Sequence, residues 1–117
     1  MMNPNVLLII TGDPRASHRP AEAIRIAAGV GAWKKVRLTL FLGGDAARLL
    51  SDDPDEFVDE DNYRRYLPMI AEAGHPIYVA HGAPAPARLL VAALRYQELS
   101  DHQLAELAAN STYVMHF

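Results

Sequence analysis

Short aliphatic runs alternate along this chain with alanine-rich or amphipathic segments, and this alternation constrains the possible folds more than any other feature. Residues 6–10 form a continuous apolar run, which is typical of a strand buried on both faces. Three further strands are predicted over 36–42, 76–80 and 112–117, and an alanine-rich helix over 20–32. Strands and helices in alternation predict an α/β sandwich with a mainly parallel sheet and right-handed crossovers.

Capping residues mark the starts of three shorter helices. Asp45 is expected to cap a short helix over residues 46–50. Pro86 suits the first turn of a helix that would cover residues 87–94. Residues 100–103 read Ser-Asp-His-Gln, which fits the capping box of a last helix before the final strand.

The middle of the chain combines an acidic loop with a helical stretch that contains a proline. Residues 51–61 carry seven acidic side chains without the spaced ligand pattern of an EF-hand, and we expect a solvated, mobile loop there. Because proline is poorly tolerated inside a helix, the regular helix that follows is expected to begin near Pro68, or to kink there. Gly74 is the expected end of this helix.

The charge balance and the absence of cysteine exclude several classes of function. One domain over residues 1–117 is expected at this length. The chain has 11 Lys+Arg, 14 Asp+Glu and a formal net charge of -3, whereas nucleic-acid binders usually present a basic face. We therefore expect no nucleic-acid partner. With no cysteine, disulfides, thiolate metal sites, iron–sulfur clusters and thiol mechanisms are excluded.

The beginning of the chain does not resemble a targeting segment. Residues 6–10 are the first apolar run, and no basic stretch precedes them, whereas a signal peptide needs roughly 7–15 apolar residues after a positive start. No segment approaches the roughly 20 apolar residues of a membrane span. We therefore expect a cytoplasmic protein that makes no contact with a membrane.

The carboxyl ends of the predicted strands define the candidate site, because parallel α/β sheets bind their ligands beyond those ends. The turns after the first three strands are rich in glycine and hold charged side chains. The two glycines after the second strand either let backbone amides approach a ligand or simply form a tight turn. The predicted ligand-binding residues are Gly12, Asp13, Arg15, His18, Gly43, Gly44, Asp45, His81 and Gly82.

Three of these residues are candidates for catalysis, each with a plain structural alternative. His81 follows a strand and could be a general base, a ligand donor or a metal ligand, or only a polar loop residue. His18 could bind an anion together with Arg15 and Arg19 at a helix start, or belong to a solvated loop. Asp13 could act in chemistry, or only shape the turn, since Asp-Pro is common in turns.

Motifs that would identify the common α/β enzymes are missing. The chain has no glycine-rich dinucleotide fingerprint after a strand, no Walker A lysine motif and no G-x-S-x-G elbow. The remaining histidines have no companion at metal-ligand spacing. We therefore expect no cofactor and no metal centre.

The order of four segments resembles the DsrE/DsrF-like (DsrEFH-like) family of small sulfur-relay proteins. These segments are the first strand with its Gly-Asp-Pro turn (6–14), the second strand with its Gly-Gly-Asp-Ala turn (36–46), the stretch Ala-Gly-His-Pro-Ile-Tyr-Val-Ala (73–80), and the ending (104–117). The resemblance implies a three-layer α/β/α fold with a five-stranded, largely parallel sheet. It also implies a short extra strand within residues 95–99, and assembly into homo- or hetero-oligomers, often trimers or hexamers.

One departure from the family pattern bears directly on function. Sulfur-transferring members carry a cysteine just after the third strand, which accepts sulfur as a persulfide. Ala80 stands at about that position here, and no other side chain can form a persulfide. The chain resembles the scaffold of the family and lacks its reactive group.

Three classes of function follow from these observations. The first is a non-catalytic oligomeric subunit that binds a small ligand or a protein partner. The second is an enzyme that uses His81, His18 and Asp13 on a small anionic substrate at the strand ends. The third, which we rank last, is a metal or phosphoryl switch that uses Asp13 and Asp45.

A homo-oligomer is predicted separately, from apolar residues that could form an interface. The apolar terminus, residues 113–117, is one candidate surface. The other consists of Tyr63, Tyr66 and Ile70 on one face of a helical stretch, which would lie either in the core or between subunits.

Overall fold

Strands and helices alternate along the chain as the sequence predicts. The computed structural model of the protein describes residues 3–33, 35–84 and 86–117. The elements are β1 (Asn5–Ile10), α1 (Arg19–Gly31), β2 (Arg37–Leu42), a 3-10 helix (Gly44–Leu50), α2 (Glu60–Ala73), β3 (Ile77–Ala80), β4 (Gln97–Leu99), α3 (Asp101–Ala109) and β5 (Tyr113–His116).

The five strands form one sheet in the order β4-β3-β2-β1-β5, and every neighbouring pair is parallel. The chain moves in one direction from β1 to β4 and then crosses back to place β5 on the far side of β1. With right-handed crossovers, this reversal puts α1 and α2 on one face and α3 on the other. The predicted α/β sandwich is confirmed, and β4 lies within residues 95–99, where the family resemblance implied an extra strand.

The main core lies between the sheet and the helices α1 and α2. Alternate strand residues point into it, because successive side chains of a strand point to opposite faces. The inward face of α1 is mostly alanine, which allows the helix to pack close to the sheet. The largest fully buried side chains in this core include Leu8, Ile10, Ile24, Leu40, Leu42, Tyr63 and Leu67.

The opposite face of the sheet is less thoroughly covered. Leu7 and Phe41 are buried there, but α3 contributes no fully buried residue. Leu104 and Leu107 of α3 are only half-buried. The predicted capping box at the start of α3 is confirmed: Gln103 donates its backbone N–H to Ser100 Oγ at 3.2 Å, and Ser100 N donates to Gln103 Oε1 at 2.8 Å.

The prediction of a helix over residues 87–94 is wrong. This segment instead forms turns and a single antiparallel bridge between Leu89 and Ser51. Leu90 N donates to the Leu50 carbonyl at 2.9 Å, and Asp52 N donates to the Arg88 carbonyl at 3.0 Å. Hydrogen bonds to the end of the 3-10 helix therefore replace the local bonds of a helix.

The expected helix start near Pro68 is also wrong, because α2 begins at Glu60 and runs through the proline. The buried residues Tyr63, Leu67 and Ile70 hold one face of α2 against the core on both sides of Pro68. Pro68 itself is exposed, so the backbone carbonyl that it leaves unpaired is on the solvent side. Gly74, with φ of 75°, ends the helix as predicted.

Asp45 does not cap the short helix that follows β2. Gly43 occupies the capping position, and Asp45 lies in the first turn of the 3-10 helix. Its carboxylate instead accepts a hydrogen bond from Arg48 Nε at 3.0 Å. Among the described residues, no helix is both long and apolar enough to cross a membrane.

Candidate functional site

The carboxyl ends of all five strands lie along one edge of the sheet, and this edge brings the predicted site residues into one row. Gly12 and Asp13 follow β1, Gly43 and its neighbours follow β2, and His81 follows β3. Gly43 N donates to the Ile10 carbonyl at 2.8 Å, so the backbone itself joins the first two of these turns.

A network of ion pairs spans the ends of β1 and β2. The Asp13 carboxylate accepts two hydrogen bonds from the Arg15 guanidinium, at 3.0 Å and 2.9 Å. Arg15 Nη2 also lies 3.9 Å from Asp45 Oδ1, which Arg48 contacts from the other side. The charges therefore alternate in sign along this edge, and each carboxylate is neutralised by an arginine.

Asp13 is a turn residue as well as an ion-pair partner. The Arg15 backbone N–H donates to Asp13 Oδ1 at 2.9 Å, and the Asp13 carbonyl accepts from Ala16 N and Ser17 N. Hydrogen bonds from the Arg15 side chain and backbone lower the pKa of the Asp13 carboxyl below its usual range. A carboxylate with a lowered pKa is a poor general base at neutral pH.

His18 immediately precedes α1, and its side chain is exposed and does not cap the helix. The two arginines that were expected to join it have other acceptors. Arg15 is paired with Asp13, and Arg19 Nη2 donates to the His116 carbonyl at 3.2 Å. Because both arginines are hydrogen-bonded elsewhere, they do not form the predicted anion site with His18.

His81, which follows β3, is hydrogen-bonded to the neighbouring strand β4. Its ring Nδ1–H donates to Glu98 Oε2 at 3.1 Å, and its backbone N–H donates to the Leu99 carbonyl at 3.0 Å. Both side chains are well exposed, at 83% for His81 and 54% for Glu98. Gly82 follows with φ of 81°, a conformation that favours glycine. No hydrogen bond within the described residues joins His81 to Asp13 or His18.

The end of β5 lies beside the end of β1, on the side away from β2. Thr11 Oγ1 and His116 Nε2 are hydrogen-bonded at 3.0 Å, and Thr11 N donates to the Phe117 carbonyl at 3.0 Å. The Arg19 guanidinium lies 6.0 Å from the centre of the Phe117 ring, within range of a cation–π contact. The parallel pairing of β5 with β1 explains why His116 reaches this edge of the sheet.

A cavity of about 230 Å³ adjoins this network of ion pairs. Its lining includes Arg15, Arg48, Ser51, Asp53 and Glu56. Two guanidinium groups and two carboxylates in one lining can bind small ligands whose groups carry either charge.

The cavity includes only one of the residues that the sequence analysis assigned to ligand binding, namely Arg15. Arg48 was missed, although it lies three residues after Asp45, at a spacing that brings two side chains of a short helix together. Glu98, the partner of His81, was missed because its position depends on β4, which has no hydrophobic pattern of its own.

The acidic segment is only partly the loop that the sequence predicts, because Glu60 and Asp61 lie in the first turn of α2. Most of its carboxylates are exposed, and Asp55 accepts a hydrogen bond from Arg64 Nη2 at 2.7 Å. Across residues 3–33, 35–84 and 86–117, no three histidine, aspartate or glutamate side chains are grouped so that they could hold a metal ion.

Comparisons with known proteins identify the architecture. No family model matches the chain, and no curated protein matches it in sequence. The structure is similar to the crystal structure of the ychN protein from E. coli, a protein of DsrE-like fold. The TM-score is 0.73 and the identity 18%, and the match covers 100% of both chains. The fold is DsrE-like. At this level of identity the similarity establishes the fold alone.

The resemblance noted in the sequence placed the sulfur-accepting thiol of other proteins at about Ala80. Ala80 is the last residue of β3, half-buried and paired with Leu99 of β4. It directly precedes His81 and Gly82. The sequence has no cysteine at this or any other position.

Proposed function

We propose that this protein is a non-catalytic, oligomeric subunit of DsrE-like fold that binds a small ligand or a partner protein at the carboxyl edge of its sheet. The observation that carries the proposal is the alanine at the end of β3, in a chain without cysteine. A persulfide requires a thiol, so covalent sulfur transfer by this chain is excluded on chemical grounds.

The pairing of polar groups at the edge supports a binding role over a catalytic one. Asp13 is held by Arg15, Asp45 by Arg48, and His81 by Glu98. A catalytic set requires a base and a reacting group within hydrogen-bond reach of a common substrate position. The Asp13–Arg15 and Asp45–Arg48 pairs adjoin each other, but within the described residues no hydrogen bond joins either of them to the His81–Glu98 pair.

The exposed residues of β5 support an assembly of several copies. Tyr113, Val114 and Met115 are 61%, 47% and 39% exposed, and β5 is an edge strand that pairs only with β1. The unpaired backbone groups of an exposed edge strand can pair with another chain, although β5 has only four residues. Of the other candidates for an interface, Tyr63 and Ile70 are buried in the core of the monomer, and Tyr66 is half-buried against that core.

Native mass spectrometry of the freshly purified protein, without added ligand, tests the proposal. We expect a trimer or hexamer at a multiple of the bare chain mass. A reproducible extra mass for each subunit would identify a bound small molecule and support the ligand-binding role. A monomer at micromolar concentration contradicts the assembly.

A pair of matched variants tests which surface forms the interface. Tyr113→Lys places a charge on the exposed edge strand and should shift the assembly to smaller species. Trp33→Lys changes another exposed aromatic residue, which is 70% exposed and follows α1. This variant should leave the assembly unchanged. The opposite result would move the interface to the Trp33 surface.

The His81–Glu98 pair favours a second candidate function, an enzyme that acts on a small anionic substrate. A carboxylate that holds Nδ1–H leaves Nε2 of the ring available as a general base. Hydrolysis of 4-nitrophenyl phosphate by the wild type and by His81→Ala is the test. Turnover that disappears in His81→Ala, and is kept in His102→Ala, would support the enzyme. His102 is a suitable control because it pairs with Glu106 at 3.0 Å in α3.

A further inference from the structure

A second cavity lies at the amino end of β3, at the opposite end of this strand from His81. It has a volume of about 350 Å³, within the range of sites that bind small molecules. The end of α2, the first residues of β3 and the segment just before β4 form its walls. The proposed function does not involve this cavity.

The lining of this cavity combines an apolar base with several hydrogen-bond donors. Leu94 and Ile77, each 3% exposed, connect it to the main core. The polar lining residues are His75, Tyr78, Arg95, Tyr96 and Gln97. None of the lining residues is acidic, although the chain as a whole carries a net charge of -3. The other cavity, beside Arg15 and Arg48, has acidic and basic side chains together.

Arg95 supplies the only formal charge in this lining. Its Nη1 donates to the carbonyls of Ala92 and Leu94, at 3.4 Å and 3.3 Å, and Arg95 lines the cavity. Within the described part of the chain, Arg95 makes no ion pair with a carboxylate. A guanidinium that is held by neutral carbonyls keeps its positive charge available for an anion.

His75 closes the cavity on the side of α1. Its ring Nε2–H donates to the Gly31 carbonyl at 3.0 Å, so the other ring nitrogen, Nδ1, is an acceptor in the neutral ring. His75, Tyr96 and Gln97 thus give the lining hydrogen-bond donors and acceptors beside the apolar Ile77 and Leu94. Such a lining suits a ligand with a flat apolar body and one anionic end.

We propose that this cavity binds a small aromatic carboxylate, with the carboxylate on Arg95 and the ring against Leu94 and Tyr96. The Arg95 guanidinium can form two parallel hydrogen bonds to a carboxylate. Aromatic rings and aliphatic side chains provide the apolar contact that the body of the ligand requires. No acidic side chain lines the cavity beside the anionic end.

Titration of the protein with benzoate and with indole-3-acetate, followed by amide chemical shifts in NMR spectra, tests this site. Saturable shifts are expected at Tyr78, Tyr96 and Gln97 for at least one of the two acids. Benzyl alcohol, which has the ring without the charge, should bind more weakly. Arg95→Gln should weaken binding of the acid about tenfold or more, as expected when a charge-assisted hydrogen bond is lost.

Two variants control for the charge of the surface. Arg88→Gln removes an exposed arginine outside the cavity and should leave binding unchanged. Arg95→Lys keeps a positive charge and should retain part of the affinity. A well-dispersed spectrum of each variant verifies that the protein is folded.

The proposal is overturned if neither acid produces saturable shifts, if Arg95→Gln binds as tightly as the wild type, or if the alcohol binds as tightly as the acid. Shifts confined to residues 12–15 and 45–48 would overturn it too, because they would place the ligand at the carboxyl edge. That last result would leave the proposed function intact, whereas a monomer in mass spectrometry would leave this cavity intact. The two proposals can therefore fail independently.

Discussion

Gly31 allows the His75 ring to lie directly against the last turn of α1. A Cβ atom at Gly31 would come within 2.5 Å of His75 Nε2 and within 3.1 Å of Leu38 Cδ2. Gly31→Ala should therefore lower the free energy of unfolding by about 1 to 3 kcal/mol, the usual cost of overpacking, even though alanine favours a helix. Urea denaturation measures the change.

Gly29, in the same helix, provides the matched control. No atom lies within 4 Å of the position that its Cβ would take. Gly29→Ala should raise stability by about 0.5 to 1 kcal/mol, because only helix propensity changes. If both substitutions were equally stabilising, the close contact between Gly31 and His75 would be wrong.

Tyr63 is buried in the core with a hydroxyl group that has no hydrogen-bond partner among the described residues. Its ring makes an edge contact with Phe57, with centroids 5.5 Å apart, which phenylalanine would preserve. Tyr63→Phe should therefore raise stability by about 1 kcal/mol at neutral pH, because an unsatisfied buried polar group is removed. Tyr66→Phe, at a half-buried position of the same helix, is the control and should change little.

The pH dependence of the Tyr63→Phe variant follows from the direction of a pKa shift. Burial raises the pKa of the Tyr63 phenol above its usual value of 10.0. As the pH rises above the unfolded-state pKa, the unfolded chain loses this proton while the folded chain keeps it, so the folded state loses stability. Thermal unfolding between neutral and strongly alkaline pH should show a smaller loss for Tyr63→Phe. Parallel curves for the two proteins would contradict the burial of this phenol.

At the scale of single elements, α2 carries a proline that its position tolerates but does not need. Pro68 lies inside the helix and is exposed, so its ring contributes no core packing. Pro68→Ala should raise stability by about 1 to 3 kcal/mol, since it restores a backbone N–H and removes a clash with the preceding turn. Pro20→Ala is the contrasting variant, because Pro20 is buried in the first turn of α1, where proline is favourable. It should lower stability, and a gain there would contradict this account.

The elements that sequence reasoning predicted correctly are those with a strong local signal. The apolar run of β1, the alanine-rich face of α1 and the capping box of α3 each carry that signal in their own residues. The segment over residues 87–94 has a helical composition, but its backbone hydrogen-bonds to Leu50 and Asp52, which are distant in sequence. Propensity cannot anticipate such tertiary pairing.

The candidate site could be predicted in position but not in its pairings. Parallel strands bring their carboxyl ends to one edge, so the row from Asp13 to His81 follows from the order of the elements. The partner of His81 depends on where β4 lies, and β4 is three residues long with little burial. The network of ion pairs also depends on the register of β1 with β2, and local sequence patterns do not specify that register.

At the scale of the whole molecule, the two faces of the sheet differ in how firmly they are packed. The face under α1 and α2 holds the main core, whereas α3 has no fully buried residue. Regions with few buried contacts open without global unfolding. In a hydrogen-exchange experiment, the amides of α3 should therefore exchange at least about tenfold faster than those of α1. Equal protection of the two helices would indicate that another surface covers α3.

Because the chain has no cysteine, a thiol-reactive label has no native site of attachment in it. Ala80 ends the third strand beside the row of polar pairs, and replacing it by cysteine would introduce the molecule's only sulfhydryl group. A fluorophore or spin label attached there would report from the carboxyl edge of the sheet without any competing signal from elsewhere in the chain. Ala80 thus offers spectroscopy a single, defined point of attachment in a chain that has no cysteine of its own.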